Sequence, residues 1–217
     1  NCQIACKDEH CGNDWMPYQK PQPETGHFWM KVNQTTHGQV PKVKLEYQPY
    51  MCMQCDDPRC AICDAVTKRP DGLVTIDPVK AEGRRDIMEA CPYGAIYWNE
   101  ELNIPQKCDG CAHLVDAGEI PHCVDMCVTE ALKFGEEEDF AEEIARATQI
   151  IPEDGCRPRV YYLNAPGLFI GGAVYNSEID ECLVGATVTL TDQSGATATV
   201  QSDDWGDFWF RHLVPGT

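Results

Sequence analysis

Fourteen cysteines in 217 residues constrain this chain more than any other feature, because their spacing fits few chemistries. Cys108 and Cys111 are separated by two residues, eleven more precede Cys123, and three more precede Cys127. Cys52, Cys55 and Cys60 form a second group with spacers of two and four, followed much later by Cys91-Pro92. A cysteine-proline ending marks bacterial ferredoxin runs, in which the last cysteine ligates a different cluster from the first three. Cys2 and Cys6, with three residues between them, read as the second half of such a run. That reading places two further cysteines upstream of Asn1 and makes the sequence a fragment.

Zinc sites set two Cys-x2-Cys pairs about 15 to 20 residues apart, or follow one pair with histidines. Here Cys55 and Cys108 lie far apart and no histidine pair follows. A disulfide framework belongs to small secreted domains, and Cys-x2-Cys pairs close very short loops, which makes them poor staples. Iron-sulfur ligation, and with it electron transfer, is the chemistry that fits.

The charge balance narrows the class further. With 35 acidic against 17 basic residues the formal charge is -18, whereas nucleic-acid binding needs a basic face. The acidity reads as solubility. No apolar run approaches the roughly 18 residues that span a bilayer. Thiolate and cluster chemistry favours a reducing, cytoplasmic compartment. A periplasmic one stays open because the first residue is Asn1 rather than Met.

Two domains are expected, an α+β iron-sulfur domain over 1–151 and a β-domain over 159–217, with a linker at 152–158. Within the first, residues 15–50 are rich in proline, glutamine and aromatics and read as an ordered insertion, with a strand at His27 to Asn33. A strand is expected at Gly72 to Asp77, a helix at Val79 to Ala90, and an amphipathic helix at Glu136 to Gln149. Cys91-Pro92-Tyr93-Gly94-Ala95-Ile96-Tyr97-Trp98 matches Cys127-Val128-Thr129-Glu130-Ala131-Leu132-Lys133-Phe134 as cysteine, three residues, alanine, aliphatic, any residue, aromatic. Such a repeat is the trace of duplicated ferredoxin-like cluster-binding halves. Beyond the linker, alternation at Leu168 to Tyr175, Ala186 to Thr191, Ala196 to Ser202 and Asp207 to Leu213 reads as four strands of an antiparallel sandwich, cut off at Thr217. No residue of it looks catalytic.

A cubane cluster needs four converging thiolates, and in the two-cluster plan the last cysteine of each run completes the other run's cluster. Cys6, Cys108, Cys111 and Cys123 are then one 4Fe-4S ligand set. Cys2 and Cys127 belong to another, with the two upstream cysteines, and Cys52, Cys55, Cys60 and Cys91 form a third. A fourth cluster would need cysteines at Ala81, Arg84 and Ile87, so three clusters are expected. Cys11, Cys63, Cys156 and Cys182 fall outside the scheme as inert thiols. His113 is placed to bond a sulfur or to serve structure.

These runs, with Gly26-His27-Phe28-Trp29-Met30, Cys-Pro-Tyr-Gly at 91 to 94, Gln106-Lys107-Cys108 and Cys111-Ala112-His113-Leu114, resemble the iron-sulfur subunits that accompany molybdenum or tungsten bis-pterin enzymes of the dimethyl sulfoxide reductase family. Loss of one cluster is similar to the transhydroxylase-type branch that acts on hydroxylated aromatics. Arg157-Pro158-Arg159-Val160-Tyr161-Tyr162 continues the likeness into a domain similar to transthyretin-like or carboxypeptidase-regulatory sandwiches. The resemblance implies a heterodimer: a large molybdopterin subunit holds the pterin and the substrate, and this non-catalytic chain relays electrons. Val128, where proline commonly follows the last cysteine, departs from the pattern. Alternatives are the small subunit of a catechol dehydroxylase, a resorcinol hydroxylase or another family reductase. A free-standing polyferredoxin has little need of the 15–50 insertion or a sandwich, and a scaffold with vestigial clusters has no need of complete ligand sets.

Overall fold

The computed structural model describes residues 1–39, 42–151, 154–165, 168–179 and 181–213. The chain forms two compact units, Asn1–Asn33 with Gln48–Leu163, and Gln34–Tyr47 with Asn164–Thr217. Among the described residues no helix is long and apolar enough to cross a membrane.

The first unit begins with helix α1 (Cys2–His10), whose end is tied to the following turn by Gln22 N–H donating to the His10 carbonyl at 2.8 Å. Hairpin β1 (Lys31–Gln39) and β2 (Lys42–Tyr50) runs from this unit into the second. The strand expected at 27–33 starts later, at Lys31. Trp29 and Met30, both fully buried, sit in a bend ahead of the strand.

Strands β3 (Val66–Lys68) and β4 (Val74–Ile76) pair antiparallel with Val66 opposite Ile76, as the alternation at 72–77 predicts. The helix expected at 79–90 shrinks to α2 (Arg85–Glu89). Asp77 Oδ1 accepts the N–H of Val79 at 2.9 Å and of Lys80 at 3.1 Å, an Asx turn that competes with helix. Gly83 at φ +74 then ends the turn outside helical space. A tight hairpin, β5 (Tyr97–Asn99) and β6 (Ile104–Gln106), leads into two short helices, α3 (Ala112–Asp116) and α4 (His122–Asp125). The amphipathic helix expected at 136–149 is a 3-10 turn, Glu137–Phe140, followed by α5 (Ala141–Ile144). Neither buries a residue, and short helices without a buried face are marginal.

One core of this unit is wholly apolar apart from Cys60: Ala65, Val66, Val74, Ile76, Ala81, Ile87 and Ile96, with Cys63 against it. Ala81 and Ile87 are both 0% exposed. The two other cores are built around cysteines.

In the second unit β7 (Leu168–Ala173) pairs antiparallel with β12 (Asp207–Leu213), and β10 (Thr187–Thr191) with β11 (Thr197–Gln201). The expected strands are present, as small two-stranded sheets, with an additional pair, β8 (Tyr175–Asn176) and β9 (Glu181–Cys182). Gly171 faces Trp209 so closely that a Cβ would sit 2.6 Å from its ring. Of the expected linker and sandwich, residues 152–153, 166–167, 180 and 214–217 lie outside the described residues.

Candidate iron-sulfur centres

Cys52, Cys55 and Cys60 sit on a loop that makes few bonds to itself and is held from outside. Arg157 and Cys156 carbonyls accept the N–H groups of Asp56 and Asp57 at 2.9 and 3.0 Å, and Arg159 N–H donates to the Met53 carbonyl at 2.8 Å. Residues 156–159, expected as linker and domain start, therefore brace this loop within the first unit. From the other side Lys68 Nζ donates to the carbonyls of Gln54 and Cys55, each at 2.9 Å. Gln54, in left-handed backbone space, accepts from Val74 N–H at 2.7 Å and donates to the Cys108 carbonyl at 3.0 Å. It thereby fixes this loop against the next cysteine loop.

Cys52, Cys55, Cys60 and Cys91 line one hollow, partly open to solvent, together with Lys107 and Cys156. Burial first, then Cys52, pushes the Cys55 thiol up to about 12, and burial takes Cys60 to about 11. Cys91 is raised mainly by burial. Cys156, expected to be inert, is 1% exposed and packs in the same core as Cys52 and Cys55.

The second group draws on three elements. Cys6 comes from α1, Cys108 and Cys111 from the loop after β6, and Cys123 from α4. Gly110 at φ +74 and Cys111 at φ +53 turn the loop back on itself, and Asp109 Oδ1 accepts the Cys111 N–H at 2.9 Å. Burial and Cys123 push Cys6 up to about 12; burial also raises Cys108, which then feels Cys6, Cys123 and Cys52. Burial, then Asp109, raises Cys111. Cys123, taken to about 11 by burial, feels Cys2 and Cys127 in addition. The groups thus adjoin one another, through Cys108 on one side and Cys123 on the other.

The repeat seen in the sequence has a structural cause. Backbone N–H groups of Tyr93 and Ala95 point at the Cys91 sulfur, and those of Thr129, Ala131 and Leu132 at the Cys127 sulfur. Donors two and four residues beyond the cysteine recur in both copies. At Cys127, burial raises the pKa, but these donors with the Thr129 hydroxyl, 3.7 Å away, outweigh it and hold the thiol below its ordinary value. Val128, in the position that Pro92 holds after Cys91, is exposed.

His113 does not reach a sulfur. Its Nε2 meets Glu9 Oε1 at 3.0 Å, while the other Glu9 oxygen meets His122 Nδ1 at 2.6 Å. Trp15 stacks on the His113 ring at 4.2 Å. The histidine beside a sulfur is His10, with Nε2 3.5 Å from Cys111 Sγ. Spacing along the sequence carries no signal for it, because the contact joins α1 to a loop 101 residues away. Of the cysteines outside the expected sets, Cys11 and Cys63 are half-buried and Cys182 is exposed.

The donor set fits an iron-sulfur group. Thiols that burial and one another hold neutral need a cationic core to ionise, and metal ligation deprotonates a thiol outright. Of the buried groups without a hydrogen-bond partner among the described residues, two donors lie in the cysteine cores: Trp29 Nε1 with Cys6, and Tyr93 Oη with Cys52 and Cys55. A buried donor without a partner costs ~1–3 kcal/mol, which acceptors on a sulfur-rich group would offset.

A family model described as "4Fe-4S dicluster domain" matches residues 43–137. The chain is 35% identical, over its whole length and 82% of the relative's, to the pyrogallol hydroxytransferase small subunit of Pelobacter acidigallici. It is 32% identical to a chain of the anaerobic dimethyl sulfoxide reductase of Escherichia coli, over 70% of this sequence and 74% of that one. A tetrathionate reductase subunit of Salmonella typhimurium is also 32% identical, covering 78% and 69%.

Proposed function

This protein belongs to the iron-sulfur electron-transfer subunits of the dimethyl sulfoxide reductase family, non-catalytic members of molybdenum-enzyme complexes, and from that premise we propose that it carries three 4Fe-4S clusters for a large catalytic subunit with a molybdenum or tungsten bis-pterin centre. When bound, each cluster takes up or gives one electron at a time, at a potential set by charge, hydrogen bonds and exposure. In this reading Cys52, Cys55, Cys60 and Cys91 hold one cluster, Cys6, Cys108, Cys111 and Cys123 a second, and Cys2 and Cys127 contribute to a third. What supports it is the adjacency of the thiol groups, which meet at Cys108 and at Cys123. A relay needs that contiguity.

The protein's own residues position the ligands and exclude water. Gln54 and Lys68 fix the Cys52 loop, residues 156–159 wall it, and backbone N–H groups stabilise the sulfurs of Cys91 and Cys127. A fourth cluster has no ligands in this reading, and the fully buried Ala81 and Ile87 fill its positions with apolar core. We infer that the iron-sulfur domain, drawn at 1–151 from the sequence, takes in the bracing residues up to Leu163, and that a transthyretin-like antiparallel sandwich follows it, with the β7–β12 and β10–β11 pairs as its layers.

For the partner's substrate we favour hydroxylated aromatics, with transhydroxylation of trihydroxybenzenes as the reaction. The pyrogallol hydroxytransferase small subunit matches the whole chain, whereas the two reductase relatives match 70% and 78% of it. Purification of the intact complex tests the proposal. Molybdenum or tungsten with a large subunit, about twelve irons per copy of this chain, and turnover of a trihydroxybenzene are expected. Four irons per chain, or zinc, overturns it.

A further inference from the structure

Lys107 is 2% exposed, an unusual place for an ammonium. Its Nζ donates to the carbonyls of Val74 and Cys108, and it lines the hollow shared by Cys52, Cys55, Cys60 and Cys91. The backbone holds it there as well: its own carbonyl accepts from Gln19 Nε2 at 3.1 Å, and the next residue is Cys108, a member of the neighbouring thiol group. Lys107 therefore stands at the seam of two groups.

Among the described residues no carboxylate oxygen lies within 4.0 Å of its nitrogen. A buried charge without a counter-charge costs several kcal/mol, and carbonyl dipoles do not supply a full opposite charge. Asp109, the nearest acid in sequence, gives one oxygen to the Cys111 N–H. The sulfurs of Cys52, Cys108 and Cys60 act on Lys107 most strongly, and the buried Asp109 carboxylate, beyond ion-pair distance, acts more weakly. Four thiolates around an iron-sulfur core leave a net negative cage, and reduction adds one more negative charge.

We propose that Lys107 is the shared counter-charge of two clusters, the one held by Cys52, Cys55, Cys60 and Cys91 and the one held by Cys6, Cys108, Cys111 and Cys123. The inference rests on the ligand sets of the proposed function. A fixed cation beside a cage favours its reduced form and so raises its potential. Each reduction brings in one electron from an external donor; no bond is made or broken, and the lysine keeps its proton. The same ammonium acts on both cages, and reduction of either adds a negative charge that the other feels as repulsion. Lys107 is a positioning residue for charge, not a catalytic one.

The test is an EPR-monitored redox titration, with dithionite as reductant, of the purified complex carrying Lys107→Gln, Lys107→Met or Lys107→Arg. Iron content of the wild-type complex is measured first. Iron for fewer than two 4Fe-4S clusters there refutes the proposed function itself, whatever the variants do. With iron present, Gln and Met are expected to lower two of the cluster potentials, each by at least a tenfold change in the reduced-to-oxidised ratio at fixed poise, or about 59 mV for a one-electron couple. The third potential stays in place, and Arg restores the other two. Loss of iron in Gln and Met with retention in Arg also upholds the role, at the level of assembly. Unmoved potentials in iron-replete Gln and Met complexes reduce Lys107 to a strut between two carbonyls and overturn the proposal. So does loss of iron in the Arg variant.

Discussion

At the scale of single residues, Gly110 shows how narrowly the cysteine loop is specified. Its φ of +74 is open to glycine, and a Cβ would lie 2.6 Å from Leu73 Cδ2. Gly110→Ala therefore carries the ~1–2 kcal/mol of left-handed strain on a non-glycine residue plus a displaced Leu73. A lower melting temperature and reduced iron content are expected on purification. His27 offers a pH-dependent counterpart. Burial, reinforced by Lys7, takes its pKa from the ordinary 6.5 to about 4, so between those values the unfolded state takes up the proton that the folded one refuses. Stability from this group is complete above pH 6.5 and declines as the pH falls toward 4. His27→Phe, which keeps a ring stacked on Tyr97, flattens the melting-temperature profile across that window. The grouping of Cys52, Cys55 and Cys60 with Cys91, and of Cys6 with Cys108, Cys111 and Cys123, was legible in the sequence because their spacing follows the ferredoxin pattern. Lys107, Trp29, Tyr93, His10 and Cys156 were not, since each owes its place to contacts made across dozens of residues, as Lys107 does with Val74, 33 positions away.

Among the elements, hairpin β5–β6 shows what the 15–50 insertion does. Gln106 is buried and donates to the carbonyls of Lys20 and Pro21 at 2.9 and 3.1 Å, while Asn99 Nδ2 donates to Gln106 Oε1 at 3.0 Å. Gln19 reaches the Lys107 carbonyl beside it. Residues 19–21 are thus a splint on the strand that delivers Cys108. Gln106→Leu strands buried amide and carbonyl groups at ~1–3 kcal/mol, and a corresponding fall in the thermal midpoint checks it. Strands were easier to read than helices here. Alternation marked β7, β10, β11 and β12 close to their observed bounds, and in β10 one face is more covered than the other. The helix expected at 79–90 failed on local chemistry that hydropathy does not weigh, the Asp77 turn and Gly83. The one at 136–149 failed because little packs against it.

For the whole molecule, cysteine enters all three cores of the first unit and none of the sheets of the second apart from Cys182 in β9. Iron removal by oxidation and chelation should therefore act on one unit. Without a cationic core, the thiols of Cys6, Cys55, Cys60 and Cys123, with pKa values of about 11 to 12, are neutral at pH 7. Their mutual cohesion is then lost. Hydrogen exchange is expected to reach the amides of 51–127 while those of 168–213 stay protected. Equal exchange in both units would contradict this division of labour.

The brace over the Cys52 loop also sets an order of events in time. Asp57 and Arg157, joined at 2.6 Å, are 100 positions apart. At about 5–20 residues per second of synthesis, that wall emerges roughly 5 to 20 seconds after the loop it covers. For that interval the nascent chain presents Cys52, Cys55 and Cys60 without the residues that later wall their loop.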